Sequence, residues 1–193
     1  GKMVDKTSDI RSIALVGHGS TGKTSLTEAL LFKAGAASRL GKVADKNTLS
    51  DFDVEEKNRQ ISIDLSVLSA QHLGKKLFLL DTPGYADFIG EMRSAMRVSD
   101  STAIVISGLH GVEVHTGKAW EFSEDFNLPV VFYVSKLDRE NSDFQRTVTE
   151  IKEELSEKAT PLFLPVGKET SFKGVVDVLR GKAYIYKGDG SSA

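Results

Sequence analysis

Residues 17–24 read GHGSTGKT, and they stand between an apolar run and a stretch of helical character. The octet fits the pattern G-x-x-x-x-G-K-[ST], with Gly17, Gly22, Lys23 and Thr24 at the required offsets. Glycines let backbone N–H groups point inward around an anionic diphosphate, and the following helix directs its positive end to the same point. A plain glycine-rich turn is the alternative, but the flanking strand and helix favour a phosphate-binding loop.

The side chains of this loop have different predicted roles. Lys23 would reach the β and γ oxygens of a nucleotide, and Thr24 would place its hydroxyl on Mg²⁺. His18 and Ser20 are expected to fill space and form hydrogen bonds rather than to act in catalysis. The residues predicted to bind nucleotide here are Gly17, His18, Gly19, Ser20, Thr21, Gly22, Lys23, Thr24 and Ser25.

The composition limits the class of protein. The chain has 193 residues, 40% of them hydrophobic, which fits one compact domain with at most an appendage. It has no cysteine, so disulfides and thiolate metal sites are excluded and a reducing cytoplasm suits it. The formal net charge of -2 gives no general attraction to nucleic acid or acidic lipid, and no apolar run is long enough to span a membrane. We therefore expect a cytoplasmic protein with no membrane partner and no sequence-specific DNA binding.

The order of the elements predicts an α/β fold. Apolar runs alternate with stretches of helical pattern, as in a mostly parallel sheet. Strands buried on both faces are predicted at residues 13–16, 77–80, 102–107 and 130–134. A further strand carries Ile61, Ile63, Leu65 and Val67 in alternation with polar residues, which is typical of a strand with one buried face. We expect this strand to run antiparallel to 77–80 at a sheet edge.

The helices are predicted from apolar stripes and from their caps. The first three stripes are Leu26, Ala29, Leu30 and Ala34, then Phe88, Met92, Ala95 and Met96, then Ala119, Phe122 and Phe126. For a fourth helix, Ser142 and Gln145 would form a capping box. His72, His110 and His115 lack the spacing of metal ligands, so we expect them to be solvated or bonded locally.

DTPGY, at residues 81–85, directly follows the predicted strand 77–80. Asp81 would then lie at the carboxyl end of a buried strand, beside the phosphate-binding loop, where it can bind Mg²⁺ through water. Gly84 would offer a backbone N–H to a γ-phosphate and allow the loop to move when that phosphate leaves. A simple D-x-P-G turn is the alternative. The residues predicted to contact nucleotide are Asp81, Thr82, Pro83, Gly84 and Tyr85.

SKLD, at residues 135–138, follows the predicted strand 130–134. The carboxylate of Asp138 can accept hydrogen bonds from the N1–H and 2-amino groups of guanine, which adenine does not offer. Lys136 can lay its alkyl stem along the base. A charged surface turn explains the four residues equally well in isolation, but their place as the third such loop, after GHGSTGKT and DTPG, favours a base site. The predicted contacts are Ser135, Lys136, Leu137 and Asp138.

Together these motifs resemble the translational GTPases, and specifically the GTP-binding domain of elongation factor G. The resemblance runs from about residue 10 to 186, and it includes DFDVEEKNRQISI as the first switch and DFIGEMRSAMRVSD as the second switch helix. It implies a Ras-like P-loop GTPase domain at 10–159, after a disordered segment at 1–9. It also implies the start of a small inserted β-rich subdomain at 160–193. GTP, GDP and Mg²⁺ would be the ligands, and docking on the ribosome would drive hydrolysis.

Four positions depart from the family pattern. Ser62 stands where the family has a metal-binding threonine, and its hydroxyl can still ligate, so the implied metal ligands are Thr24, Ser62 and Asp81. Tyr85 stands where the family has the histidine that orients the attacking water. Ser135 replaces an asparagine, at an expected cost of about 1 kcal/mol in guanine affinity. Ser20 replaces an aspartate of the phosphate loop. The residues expected at the chemistry are Tyr85, Lys23 and Gly84.

The resemblance also implies that the chain is a fragment. The family's last guanine-contacting loop should lie well past residue 193, so we expect a monomer with reduced nucleotide affinity. The leading hypothesis is a GTPase of elongation factor G type, with low intrinsic activity in this fragment. A ribosome regulator or ribosome-protection factor whose hydrolysis is weak because of Tyr85 is the second hypothesis, and an adenine-using P-loop enzyme, disfavoured by Asp138, is the third.

Overall fold

The computed structural model describes residues 6–38, 49 and 64–187. Within these ranges the strands are β1 (Ile10–Val16), β2 (Ser66–His72), β3 (Lys75–Asp81), β4 (Ser101–Ser107), β5 (Val130–Ser135), β6 (Phe163–Val166), β7 (Gly174–Asp177) and β8 (Lys182–Ile185). The α-helices are α1 (Lys23–Lys33), α2 (Ile89–Arg97), α3 (Val114–Asp125) and α4 (Phe144–Glu150). Among the described residues no helix is both long and apolar enough to cross a membrane.

The larger sheet of the described residues has five strands in the order β2-β3-β1-β4-β5. β1 runs parallel to both β3 and β4, whereas β2 runs antiparallel to β3. The prediction of a mostly parallel sheet with one antiparallel edge strand is therefore confirmed. Of the predicted edge strand, Ile61 and Ile63 lie outside the described residues.

The buried face of β2 is opposite to the predicted one. Val67 is 58% exposed, whereas Ser66 and Ala70 are buried. Ala70 joins Leu15, Leu31 and Leu79 in one core cluster, against which Leu68 also packs. Since side chains alternate between faces along a strand, the inward position of Leu68 and Ala70 turns Val67 outward. The sequence prediction, which placed Val67 with Ile61, Ile63 and Leu65 on the buried face, is therefore wrong for the position of Val67.

The described residues fall into two compact units. The first is formed from Gly1–Val105 and Val114–Tyr133, and the second from Ile106–Glu113 and Val134–Ala193. These limits differ from the predicted boundary at residue 160. At the start of the first unit, Thr7–Asp9, inside the segment predicted to be disordered, form a 3-10 turn, and Asp9 pairs with Lys75 at 2.7 Å.

In the first unit, α1 buries the predicted stripe only in part, since Leu26 and Ala34 pack against the core cluster but Ala29 and Leu30 are exposed. Leu30 is 42% exposed, while Thr27, Glu28 and Leu31 are buried. The inward polar groups are satisfied, because Thr27 donates to Lys23 O at 3.0 Å and Glu28 accepts from the backbone N–H of Leu49. Buried polar side chains with partners can occupy core positions that a purely apolar pattern assigns elsewhere. In α2 the predicted side chains Met92, Ala95 and Met96 are buried, as expected.

In the second unit, α4 is capped by a different residue from the predicted one. The carboxylate of Asp143 accepts the backbone N–H of Arg146 at 2.9 Å, which is the N-cap contact. Ser142 instead donates its hydroxyl to Leu137 O at 3.0 Å. A small sheet of three antiparallel strands follows, in the order β6-β7-β8 among the described residues. This sheet matches the β-rich segment predicted after residue 160.

Asp177, at the end of β7, stabilises the turn that follows it. Its carboxylate accepts the backbone N–H of Arg180 at 3.0 Å and the Arg180 guanidinium at 2.9 Å. These hydrogen bonds, the backbone one foremost, hold the pKa of Asp177 below its usual value. A lowered folded-state pKa stabilises the fold above the unfolded value of 3.8, and the gain is lost as the pH falls through the folded pKa. Asp177→Asn should therefore lower Tm at pH 7, and the difference from wild type should shrink below pH 3.8 in thermal unfolding followed by circular dichroism.

Candidate nucleotide-binding site

The loop 17–22 leaves the end of β1 and leads into α1. Gly17 has a φ of +140°, and a side chain there would clash with the carbonyl of Val105. Gly22, the N-cap residue of α1, has a φ of +100°. These two conformations are strained for residues with a Cβ, which explains why the pattern requires glycine at positions 17 and 22. Glycine at positions 17 and 22 therefore permits the backbone path of this loop.

Lys23 is the buried cation of this loop. Its side chain is folded back so that Nζ donates to His18 O at 2.8 Å and to Gly17 O at 3.2 Å. Thr21 also donates to His18 O, at 3.0 Å. An ammonium held against the loop's carbonyls at the start of a helix supplies positive charge where an anionic phosphate group would sit.

Thr24 and Asp81 meet directly. The Thr24 hydroxyl donates to Asp81 Oδ2 at 2.9 Å, and both residues are buried. Thr82, which follows Asp81, donates to Leu15 O through both its backbone N–H, at 3.2 Å, and its hydroxyl, at 2.8 Å. The end of β3 is thereby tied to β1, and the carboxylate of Asp81 is fixed at the first turn of α1.

The segment after Asp81 lies against the phosphate-binding loop. A Cβ placed on Gly84 would come within 2.6 Å of Gly19 N, and it would also meet Lys23 Nζ. One residue later, the Tyr85 hydroxyl is 3.1 Å from the Ser20 hydroxyl. A Cβ on Gly19 would in turn lie 2.6 Å from the Tyr85 ring. Ser20 and Tyr85, which were singled out separately in the sequence, thus touch each other.

Replacing Gly84 with alanine should disrupt the site. The backbone of Gly19 cannot move away without changing the phosphate-binding loop, so the added methyl must displace either that loop or Lys23. We expect nucleotide affinity to fall by at least about tenfold, the effect of one lost hydrogen bond to a charged group. Calorimetry with GDP measures it.

Gly90→Ala is the matched control for this substitution. Gly90 lies in α2, and a Cβ there meets nothing within 4 Å. The control should keep full affinity and gain slightly in stability, because alanine is the better helix former. Equal affinities of the two variants would contradict the close approach of Gly84 to the phosphate-binding loop.

His115 was missed by sequence reasoning. It was expected to be solvated or bonded locally, but it is 8% exposed and its Nδ1 lies 2.7 Å from Gly84 O, a residue far away in sequence. Its ring is also 5.0 Å from the ring of His18, at 30° between planes. No spacing motif marks this residue. His72 and His110 are exposed, as expected.

In the second unit, residues 135–138 form a short loop whose first residue is hydrogen-bonded to Ile106 and Gly108. The Ser135 hydroxyl donates to Ile106 O at 3.3 Å, and Ser135 O accepts the backbone N–H of Gly108 at 2.9 Å. Lys136 adopts a φ of +58°. Asp138 is exposed, with only a long ion pair to Arg139 at 3.8 Å among the described residues. The loop thus presents a carboxylate to solvent from a backbone that hydrogen bonds hold in place.

The structure brings part of the predicted site together within the first unit. The residues that meet there are Gly17, His18, Gly19, Ser20, Lys23, Thr24, Asp81, Gly84 and Tyr85. Ser25, on the first turn of α1, is exposed, and Pro83 is buried. Ser135, Lys136, Leu137 and Asp138 belong to the second unit. Ser62 lies outside the described residues.

A strand, a glycine-bounded loop closing on a lysine, a helix that starts with Lys-Thr and an aspartate from the neighbouring strand define the phosphate-loop class of nucleotide-binding folds. The chain belongs to the family of the elongation factor Tu GTP binding domain, whose model matches residues 8–186. Membership in this family confirms the predicted Ras-like GTPase fold and the guanine-nucleotide class of ligand.

Individual relatives indicate which type of protein within this family the chain is most similar to. An elongation factor G-like protein of Thermotoga maritima is 36% identical over 181 residues, which are 94% of this chain and 26% of that protein. A mitochondrial ribosome-releasing factor 2 of Culex quinquefasciatus is 38% identical over 178 residues, which are 92% of this chain and 24% of the relative. A crystal structure of a protein from Thermus thermophilus matches with a TM-score of 0.88 at 38% identity, over 94% of this chain and 27% of that one. The domain is of the elongation factor G type, and the chain spans about a quarter of the length of these relatives.

Proposed function

We propose that this domain binds GTP and GDP with Mg²⁺ and hydrolyses GTP, as the switch domain of a translation factor that acts on the ribosome. The observation that carries the proposal is the meeting of Lys23, Thr24 and Asp81 at the start of α1. The Lys23 ammonium would bind phosphate, and the Thr24 hydroxyl and the Asp81 carboxylate would offer oxygen ligands to a metal ion. The ribosome as partner rests on the relatives named above.

Mg²⁺ fits the oxygen atoms at this site. A threonine hydroxyl and a carboxylate are hard ligands of the kind that Mg²⁺ takes, together with phosphate oxygens and water. Thr24 and Asp81 would hold the ion, with Ser62 as the third protein ligand. When bound, the ion would neutralise charge on the β- and γ-phosphates. Since hydrogen bonds already fix the Thr24 and Asp81 side chains beside each other, binding would need little rearrangement of either.

For the base, we propose Ser135, Lys136, Leu137 and Asp138. Asp138 has an exposed carboxylate that can accept the N1–H and 2-amino groups of guanine, and Lys136 can cover one face of the ring. A competition between GDP and ADP for the domain tests this proposal directly. We expect GDP to displace a fluorescent GDP analogue at concentrations at least about 100-fold lower than ADP does, because adenine lacks both donors. Equal displacement would favour an adenine-using enzyme.

A second candidate function depends on Tyr85. Its hydroxyl is bonded to Ser20, so it is held toward the phosphate-binding loop rather than free to orient a water molecule. Hydrolysis depends on the placement of that water, so the domain would then act mainly as a GTP-dependent ribosome regulator or ribosome-protection factor, with slow turnover.

Replacing Tyr85 with histidine separates the two functions. If the domain is a working GTPase, as we propose first, single-turnover hydrolysis of GTP by Tyr85→His should be unchanged or slower. A gain of orders of magnitude would instead favour the slow regulator. Tyr85→Phe serves as control, since it keeps the ring against Gly19 and removes only the hydroxyl.

A further inference from the structure

His115 is a buried side chain that the proposed function does not use. It lies in the first turn of α3, next to the buried Thr116. It belongs to the same compact unit as the phosphate-binding loop after β1 and the DTPGY segment at the end of β3. Two of its neighbours belong to those loops. The carbonyl oxygen of Gly84 lies 2.7 Å from Nδ1 of His115, and the ring centroid of His18 lies 5.0 Å from that of His115. His115 therefore bridges α3, the DTPGY segment and the phosphate-binding loop.

The chemistry of the two groups determines which of them donates the hydrogen bond. A carbonyl oxygen can only accept, so Nδ1 of His115 carries a proton and donates it to Gly84 O. That carbonyl belongs to the same planar peptide as the N–H of Tyr85. Holding the oxygen in place therefore orients the whole Gly84–Tyr85 peptide unit, and with it the start of the Tyr85 side chain.

Gly84 has little freedom to compensate for the loss of this contact. It lies so close to Gly19 and Lys23 that no side chain would fit, and Tyr85 beyond it bonds to Ser20. His115 approaches Gly84 from α3, whereas the other contacts come from the phosphate-binding loop. The segment is thus positioned between two elements, and His115 is the side chain that anchors it to the helix.

We propose that His115 is a positioning residue that sets the orientation of the Gly84–Tyr85 peptide, and thereby the preference of the site for a nucleotide with a γ-phosphate. This role rests on the proposed function, because it assumes that Gly84 faces the γ-phosphate end of bound GTP. The β-phosphate would be held by the loop 17–22 and Lys23, which His115 touches only through the ring of His18 and without a hydrogen bond of its own to the loop among the described residues. Loss of the contact should consequently weaken binding of GTP more than binding of GDP.

A pair of nearly isosteric variants tests the proposal. His115→Asn keeps a donor close to the position of Nδ1, whereas His115→Leu has a similar shape and no donor. In His115→Leu we expect about tenfold weaker binding of a non-hydrolysable GTP analogue, the effect of a buried carbonyl left unsatisfied, and a change of less than about threefold for GDP. His115→Asn should restore the wild-type ratio. His110→Leu, at an exposed histidine, is the control and should change neither affinity.

Hydrogen exchange without nucleotide provides an independent measurement. Amides of residues 84–88 should exchange faster in His115→Leu than in wild type or in His115→Asn. An unchanged ratio of the two affinities in a folded His115→Leu protein would overturn the role of His115 while leaving the proposed function intact. Wild-type protein that binds neither nucleotide would overturn both. Should His115→Leu fail to fold, His115→Phe, which keeps the ring beside His18, takes its place with the same expected results.

Discussion

Replacing Lys23 with methionine should weaken binding of GDP by about 100-fold or more. Lys23 is the buried cation of the phosphate-binding loop, and its ammonium donates to two backbone carbonyls from a position at the start of α1. In the complex those donors would turn to the phosphate oxygens. Hydrogen bonds to charged groups contribute about 1.5–3 kcal/mol each, so the loss of two is worth at least about 3 kcal/mol. Calorimetric titration with GDP measures the change.

Lys33→Met is the matched control for this experiment. Lys33 is the last residue of the same helix, and it is exposed. Its substitution removes the same charge and adds the same side chain without touching the loop, so GDP affinity should stay within about twofold. A Lys23→Met protein that is folded and binds GDP as tightly as wild type would rule out phosphate binding by this loop.

Replacing Asp138 with asparagine should change which base the domain prefers. A carboxylate accepts two hydrogen bonds from the N1–H and 2-amino groups of guanine, whereas an amide offers one acceptor and one donor. The donor would face the 2-amino group, so GDP should bind about 100-fold more weakly. Xanthine carries an oxygen at that position and can accept from the amide, so xanthosine diphosphate should bind more tightly to the variant than to wild type.

Glu140→Gln tests whether charge alone explains such a result. Glu140 is exposed and two residues away from Asp138, so this substitution removes the same charge from the same loop. It should leave the order of preference for GDP over xanthosine diphosphate unchanged. If Asp138→Asn keeps that order as well, the assignment of residues 135–138 to the base fails.

Much of the fold follows from local patterns in the sequence. β1, β3, β4 and β5 were predicted as strands because each is an apolar run between turn signals. For β5 the predicted burial on both faces was wrong: among the described residues it is an end strand of the sheet, and Val131 and Tyr133 are 62% and 45% exposed. The buried face of α1 was predicted only in part and that of β2 wrongly, because both depend on contacts that an apolar pattern does not show. Thr27 and Glu28 face inward since hydrogen bonds satisfy them, and the phase of β2 is set by Leu68 and Ala70. A pattern of apolar residues contains neither piece of information.

The site residues could be predicted where their chemistry requires a fixed spacing along the sequence. A loop that encloses a phosphate needs glycine, lysine and threonine at fixed offsets, so Lys23 and Thr24 could be identified, and the end of β3 then suggested Asp81. His115 could not be found in this way, because it acts on a backbone carbonyl and no fixed sequence distance links it to Gly84. The contact between Tyr85 and Ser20 could likewise not be predicted from the sequence, although both residues had been singled out separately. The base contacts of residues 135–138 stay predictions.

The hydrogen bond between Tyr85 and Ser20 makes these two positions interdependent for anyone who redesigns the domain. Tyr85→His alone would remove the tyrosine hydroxyl that Ser20 contacts, and Ser20→Asp alone would place a carboxylate beside the Tyr85 phenol. The effect of either exchange will therefore depend on which was made first. The double exchange is the informative protein to build, since comparing it with the two single exchanges measures the coupling between the two positions.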